Sequence, residues 1–183
     1  RGGGAVRLVG ARLERNLGTG VLVSSWKSPG LYGEPPIDPP SRAEISDLLV
    51  SDTQMTWASN NAGILVEGAE LTLARARVTG SRGAGLIIRA EKAFLRAQDL
   101  LIDGTVPSAD RGGTGLSAED NARAILVRTR LSTNYWTGLS VFGDPDEPGK
   151  TSVAARDLLV DGTRTTLDLW TGIDIGNGIG AER

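Results

Sequence analysis

The chain has 183 residues, 39% of them hydrophobic and 4% aromatic, with 25 Gly, 8 Pro and a formal net charge of −2. That length supports one domain with a sizeable buried core, and the mixed, near-neutral charge excludes a basic footprint for nucleic acid or anionic membrane. Cys and His are both absent, which removes disulfides, thiolate zinc sites, Cys nucleophiles and any mechanism resting on imidazole.

No apolar run reaches the roughly 18 residues of a membrane span. The chain opens at Arg1 without Met or a signal peptide, and reads as a mature or excised piece. Its first elements are two short strands. In residues 6–13 the apolar positions are Val6 and Leu8, then, after a one-residue slip in phase, Ala11 and Leu13. TGVLV follows at 19–23, with Val21 and Val23 as its inward pair. The insertion WKSPGLYGEPPIDPPS (26–41, within a loop over 24–42) has five prolines and two aromatics, and is expected to protrude as a stiff loop.

The same two-strand unit then returns along the chain. Its first strand ends at Leu13, Val50, Val78, Ile102, Leu131 and Val160; its second is TGVLV, AGILV, AGLII, TGLSA, TGLSV and TGIDI, beginning at residues 19, 62, 84, 114, 137 and 171. The two anchors alternate strictly, which gives six copies. Aligning the copies produces columns. Val6, Ala43, Leu71, Leu95, Ala124 and Val153 form one, and Leu8, Ile45, Leu73, Ala97, Leu126 and Ala155 the next. Ala11, Leu48, Ala76, Leu100, Thr129 and Leu158 form a third, and after each Gly a pair runs from Val21 and Val23 through to Ile173 and Ile175. Only Thr129 breaks an apolar column. Period-two alternation means strands with one face on a core, and the slip before Ala11 or Ala76 marks a bend.

Short bent strands repeating in this way predict an all-β fold: a right-handed parallel β-helix (a solenoid) of about six rungs, on the order of 30 Å long. A two-sheet sandwich would need hairpins every 8–12 residues or so and would not stack like residues in columns.

The phrase SDLLVSDT (46–53) returns as QDLLIDGT and RDLLVDGT, with Asp47, Asp99 and Asp157 spaced by 52 and 58 residues. The same outward position holds Arg75 and Arg128 in the copies between. Stacked like charges about 4.8 Å apart would repel, so alternation makes a structural charge ladder, with Arg75 beside Asp47 and Asp99 and Arg128 beside Asp99 and Asp157. The neighbouring column alternates too: Arg12, Leu49, Arg77, Leu101, Arg130 and Leu159. The sequence repeat is therefore two rungs.

Phrases such as DLLVDGT (157–163) alternating with GAELTLARARV (68–78), each followed by a Gly-apolar strand, resemble the secreted, often lipid-anchored β-helix repeat proteins of myxobacteria and related bacteria, within the pectate-lyase-like superfamily. The resemblance runs from about Ala5 to Ile175. It implies an extracellular or cell-envelope location. It implies no catalytic residue, because the shared motifs are core and turn positions.

Enzymes of that superfamily set carboxylates on neighbouring rungs; here an Arg separates each Asp of the file, and a ladder needs no catalytic cause. Asp52, Asp103 and Asp161 read as turn residues. GIDIGNGIG (172–180) and the Gly pair after Arg111 also read as turns, not as a calcium repeat or a phosphate loop. No cofactor and no metal site is expected. Two features are candidate binding residues: Trp26 and Tyr32 in the insertion, whose alternative role is to cover the side of the helix, and Tyr135, Trp136 and Trp170 near the Gly anchors, where stacked aromatic rings can form a platform for sugar or serve as ordinary structural stabilisation. The leading expectation is a non-catalytic surface segment with a structural, adhesive or display role, partnered by polysaccharide or by copies stacking end to end. The alternative is a fragment of a polysaccharide lyase or hydrolase, or a carbohydrate-binding β-helix. Because no helix caps either terminus in the sequence, the segment is also expected to be internal to a longer rod.

Overall fold

The structure is a computed structural model and describes residues 4–25, 39–54, 62–108, 112–143, 150–164 and 179–182. Those residues form strands and turns with no helix. The strands are β1 (Ala5–Val9), β2 (Arg12–Glu14), β3 (Val21–Ser24), β4 (Arg42–Ser51), β5 (Ala62–Glu67), β6 (Glu70–Thr79), β7 (Ala84–Arg89), β8 (Phe94–Asp103), β9 (Thr114–Ala118), β10 (Arg123–Ser132), β11 (Leu139–Phe142), β12 (Ser152–Asp161) and β13 (Ile179–Glu182). No helix among them is long and apolar enough to cross a membrane.

All pairings between these strands are parallel. One sheet runs β1-β4-β6-β8-β10-β12, with β2 also on β4, and the other runs β13-β11-β9-β7-β5-β3. From β3 onward consecutive strands alternate between the sheets, so the chain returns to each sheet beside the strand it left there last. This is a solenoid-like arrangement of parallel strands. The columns expected from the sequence are the register of the first sheet: Val6 pairs Ala43, Ala43 pairs Leu71, Leu71 pairs Leu95, Leu95 pairs Ala124 and Ala124 pairs Val153.

The phase slip has a backbone cause. Gly10, Asp47, Arg75, Asp99, Arg128 and Asp157 all have left-handed backbone, with φ of 69°, 56°, 55°, 57°, 50° and 58°. One left-handed residue inside a strand bends it and returns the following side chains to the inner face. The ladder pairings skip this residue: Ser46 pairs Ala74, and the next pair is Leu48 with Ala76. Inward residues on both sides of the bend are therefore buried. Leu71, Leu73, Val78, Leu95, Leu100 and Ile102 are all within 2% of full burial.

The second sheet differs from the expectation of one buried face. Every residue of β5 and β7 is buried. Ile64, Val66, Leu86 and Ile88 join the main core, while Ala62, Leu65, Ala84 and Ile87 form a separate apolar cluster on the other face. Near-continuous apolar runs such as AGILV and AGLII are what a parallel strand covered on both sides requires.

The Gly anchors are explained by close approach. A Cβ on Gly85 would lie 2.2 Å from Ile102 Cγ2 and 2.7 Å from the Gly115 carbonyl oxygen; one on Gly63 would lie 2.4 Å from Val78 Cγ1. Each glycine thus lets the second strand lie against the end of the first.

One expectation is corrected. The position that the columns give to Ile173 and Ile175 is filled by Ile179 and Ala181, which pair with Leu139 and Val141. TGIDI itself (171–175) lies outside the described residues, as does most of the 24–42 insertion. Periodicity alone could not separate TGIDIG from GIGAE, since both present a Gly-Ile start.

Candidate functional site

The outward face of the first sheet carries the charged file. The left-handed bend turns its side chains outward at the same height on neighbouring strands, and the strand spacing of about 4.8 Å then brings them into hydrogen-bond range. Arg75 donates from Nε to Asp47 Oδ1 at 2.6 Å and from Nη2 to Asp47 Oδ2 at 2.8 Å. Arg128 repeats the arrangement on Asp99, again at 2.6 and 2.8 Å. The hydrogen bonds from Arg75 and Arg128 hold the Asp47 and Asp99 carboxyls below the ordinary aspartate range.

The file is a set of pairs and not a continuous ladder. Arg75 is hydrogen-bonded to Asp47 and reaches Asp99 only through its field; Arg128 stands likewise to Asp157. A guanidinium has one fork, and facing one carboxylate bidentately turns it away from the other. Asp157 instead meets Arg156 of its own strand at 3.5 Å. In the next column, Arg130 donates to Asp161 at 2.8 Å and lowers the Asp161 carboxyl pKa.

Two polar features are not evident from motif spelling. Three residues beyond each first-strand anchor stand Asn16, Thr53, Ser81, Thr105, Asn134 and Thr163. Of these, Thr53, Ser81, Thr105 and Asn134 are buried. The Thr105 hydroxyl lies 2.6 Å from the Gly113 carbonyl oxygen and 2.9 Å from Asn134 Oδ1. Thr53 Oγ1, Ser81 Oγ and Asn134 Nδ2 have no hydrogen-bond partner in the structure. The constant three-residue offset was the available signal. The second feature is a buried ion pair at the ends of β5 and β7. Arg89 Nε and Nη2 donate to Glu67 Oε1 at 2.9 and 2.6 Å, with both side chains about nine-tenths buried. Glu67 and Arg89 are register partners, which a reading confined to the first-sheet columns does not reveal.

An open groove of about 480 Å³ runs where the first-sheet strands begin, lined by Glu70, Glu91, Lys92, Phe94, Asn121, Arg123 and Lys150, among others. Phe94 pairs in register with Glu70 on one side and Arg123 on the other, and Glu70 is held at 2.9 Å by Arg42. Among the described residues no group of three or more acidic side chains could hold a metal ion.

Of the aromatic candidates, Tyr135 and Trp136 are described. Trp136 is 43% exposed, and its ring lies on Gly112, where a Cβ would come within 2.0 Å of Cε3. The Tyr135 and Trp136 amides both donate to the Gly113 carbonyl. These contacts anchor a turn. Trp26, Tyr32 and Trp170 lie outside the described residues.

The class these observations define is an all-β protein of stacked parallel strands with a paired Asp/Arg face. No protein-family model matches the chain, and comparison with curated proteins and with solved structures gave no significant match.

Proposed function

We propose that the chain is a right-handed parallel β-helix of about six coils with a two-coil sequence repeat, serving as a non-catalytic structural or adhesive scaffold outside the cell or in its envelope. Six successive positions in each sheet support the coil number, and the strong preference of parallel crossovers supports the hand. The location rests on the likeness of its repeat phrases to secreted, pectate-lyase-like repeat proteins.

One observation carries the scaffold reading. Both carboxylate oxygens of Asp47 and of Asp99 are occupied by a guanidinium from the neighbouring strand. A carboxylate clamped in this way is held ionised and cannot hand a proton to a glycosidic oxygen or take one from a sugar carbon. Asp47 and Asp99 stabilise the face and are not free to act as reactive groups; Asp157 of the same file meets Arg156 at 3.5 Å.

The test is a panel of acidic and neutral polysaccharides incubated with the protein, followed for unsaturated uronide and for new reducing ends. No release is expected, and measurable turnover would overturn the reading. The groove at Phe94 favours a second reading, carbohydrate binding, because an aromatic ring among hydrogen-bonding side chains suits a sugar face. Glycan-array binding that Phe94→Ala abolishes would establish it.

A further inference from the structure

We infer that the two-coil alternation is a register lock: a coil stacks only on one of the opposite type, and the solenoid gains or loses length by two coils at a time. The inference needs only the strand stacking described above. It holds whether the face serves as a scaffold or binds a glycan.

The backbone does not tell one coil from the next. β4, β6, β8 and β10 each have ten residues, and each bends at one left-handed residue, Asp47, Arg75, Asp99 or Arg128. The inward-outward pattern fixes register along a strand, but a shift by a whole coil leaves that pattern intact. Pairing β4 with β8 in place of β6 would offer the same ladder of hydrogen bonds, and both strands carry the phrase Asp-Leu-Leu at the bend.

The bend residue and the two after it separate the coils. Each central charge of the file is tied to both neighbouring coils: Arg75 is bonded to Asp47 and feels the field of Asp99, and Arg128 is bonded to Asp99 and feels that of Asp157. The next column points inward and alternates in size, with Leu48, Ala76, Leu100 and Thr129 all between 2% and 3% exposed. The third points outward and alternates Leu49, Arg77, Leu101 and Arg130.

A slip of one coil offends all three columns together. β4 on β8 would set Asp47 on Asp99, Leu48 on Leu100 and Leu49 on Leu101. β6 on β10 would set Arg75 on Arg128, Ala76 on Thr129 and Arg77 on Arg130. Like charges repel; two large side chains overpack the closed core, and two small ones leave it short of contacts. A slip of two coils offends none of them, because β4 on β10 sets Asp47 on Arg128, Leu48 on Thr129 and Leu49 on Arg130. Other inward columns do not alternate, since Leu71 pairs Leu95, so the lock lies at the bend.

The experiment compares urea midpoints of full-length variants. Asp99→Arg with Arg128→Asp exchanges the members of one bidentate pair. Composition and the pair are kept, but the new guanidinium stands beside Arg75 and the new carboxylate beside Asp157. A lower midpoint is expected, and the deficit should shrink at high salt. Adding Asp47→Arg with Arg75→Asp removes the contact between guanidinium groups and should recover part of the loss, although four residues are now changed. A first swap as stable as the parent chain, or a four-residue variant no better than the first swap, would overturn the inference. A pair of deletions tests the same lock by length. Removing residues 94–122, the coil of β8 and β9, joins Ala93 to Arg123 and sets β6 on β10. Removing residues 94–151, the coils of β8 to β11, joins Ala93 to Ser152 and sets β6 on β12, with Arg75 on Asp157 and Arg77 on Leu159. Chain length alone makes the longer deletion the less stable. The lock reverses that order, so a one-coil deletion with the higher midpoint would also overturn it.

Discussion

Arg128 grips Asp99 of the neighbouring strand through two parallel hydrogen bonds, Nε to Oδ1 at 2.6 Å and Nη2 to Oδ2 at 2.8 Å, and both residues hold left-handed backbone, at φ 50° and 57°. The bend and the ion pair are one device. Left-handed backbone is unfavourable for an L-residue, yet it is what turns both side chains outward at the same height. The neighbouring pair Arg75–Asp47 repeats the geometry two strands away.

Asp157 separates the two contributions. It has the same backbone, φ 58°, but only a 3.5 Å contact with Arg156. Asp157→Gly relieves the backbone strain with little to lose, and is expected to raise stability by about 0.5 kcal/mol after the entropy of the unfolded glycine is counted. Asp99→Gly relieves the same strain but discards a bidentate pair, and should rank below it. Urea unfolding midpoints of the two variants decide the order.

The lowered carboxyl pKa values of Asp47, Asp99 and Asp161, each caused first by a hydrogen bond from its Arg, set an acid limb. Their folded values lie below the unfolded value of about 3.9. The stabilisation is therefore fully present above that value and is lost as pH falls through the folded values. The chain has no His, so no imidazole adds a slope between pH 5 and 8. Melting temperatures are expected to be flat there and to drop below about pH 4. Asp99→Asn should shrink that drop, and an undiminished drop would contradict the assignment.

The first sheet was legible in the sequence because its outward positions differ chemically from its inward ones, so register, bend and alternation all leave marks. Val6 through Val153 could be aligned from spelling alone. The second sheet was less legible. Its strands are covered on both faces, so AGILV and AGLII carry no alternation, and Leu65 and Ile87 read as outward although they are buried. The direction of each ion pair was not legible either, because an Arg between two Asp residues can face only one of them, and side-chain rotamers make that choice.

Gly85 tests the fit between the two strands of a coil. Its absent Cβ would stand 2.2 Å from Ile102 Cγ2 and 2.7 Å from the Gly115 carbonyl oxygen, and one of those neighbours is backbone. Gly85→Ala is expected to cost about 2–3 kcal/mol by overpacking. A loss below roughly 0.5 kcal/mol, the usual effect of a surface substitution, would mean that the coils separate more readily than the register implies.

Thr129 occupies a small-residue position of the core column, 2% exposed, and its hydroxyl has no hydrogen-bond partner. Val has nearly the same shape without the polar group. Thr129→Val is therefore expected to stabilise by about 1 kcal/mol, read as a higher urea midpoint with an unchanged m-value. A lower midpoint would show that the hydroxyl is satisfied in solution.

The buried pair Glu67–Arg89 gives the sharpest contrast between removing one partner and removing both. Two guanidinium nitrogens converge on Glu67 Oε1 at 2.9 and 2.6 Å, with the side chains 9% and 10% exposed. Arg89→Met takes that cation away and leaves a carboxylate in a poorly solvated site, at an expected cost of about 3 kcal/mol. The double variant Glu67→Leu with Arg89→Met removes both charges and extends the outer apolar cluster of Leu65 and Ile87. It should recover most of that loss, since a buried ion pair is often no better than a well-packed apolar pair. Double-mutant analysis of chemical unfolding separates the coupling from the single effects. If the double variant is as unstable as Arg89→Met alone, the pair does more than neutralise itself. Its hydrogen bonds would then be fixing the spacing of β5 and β7.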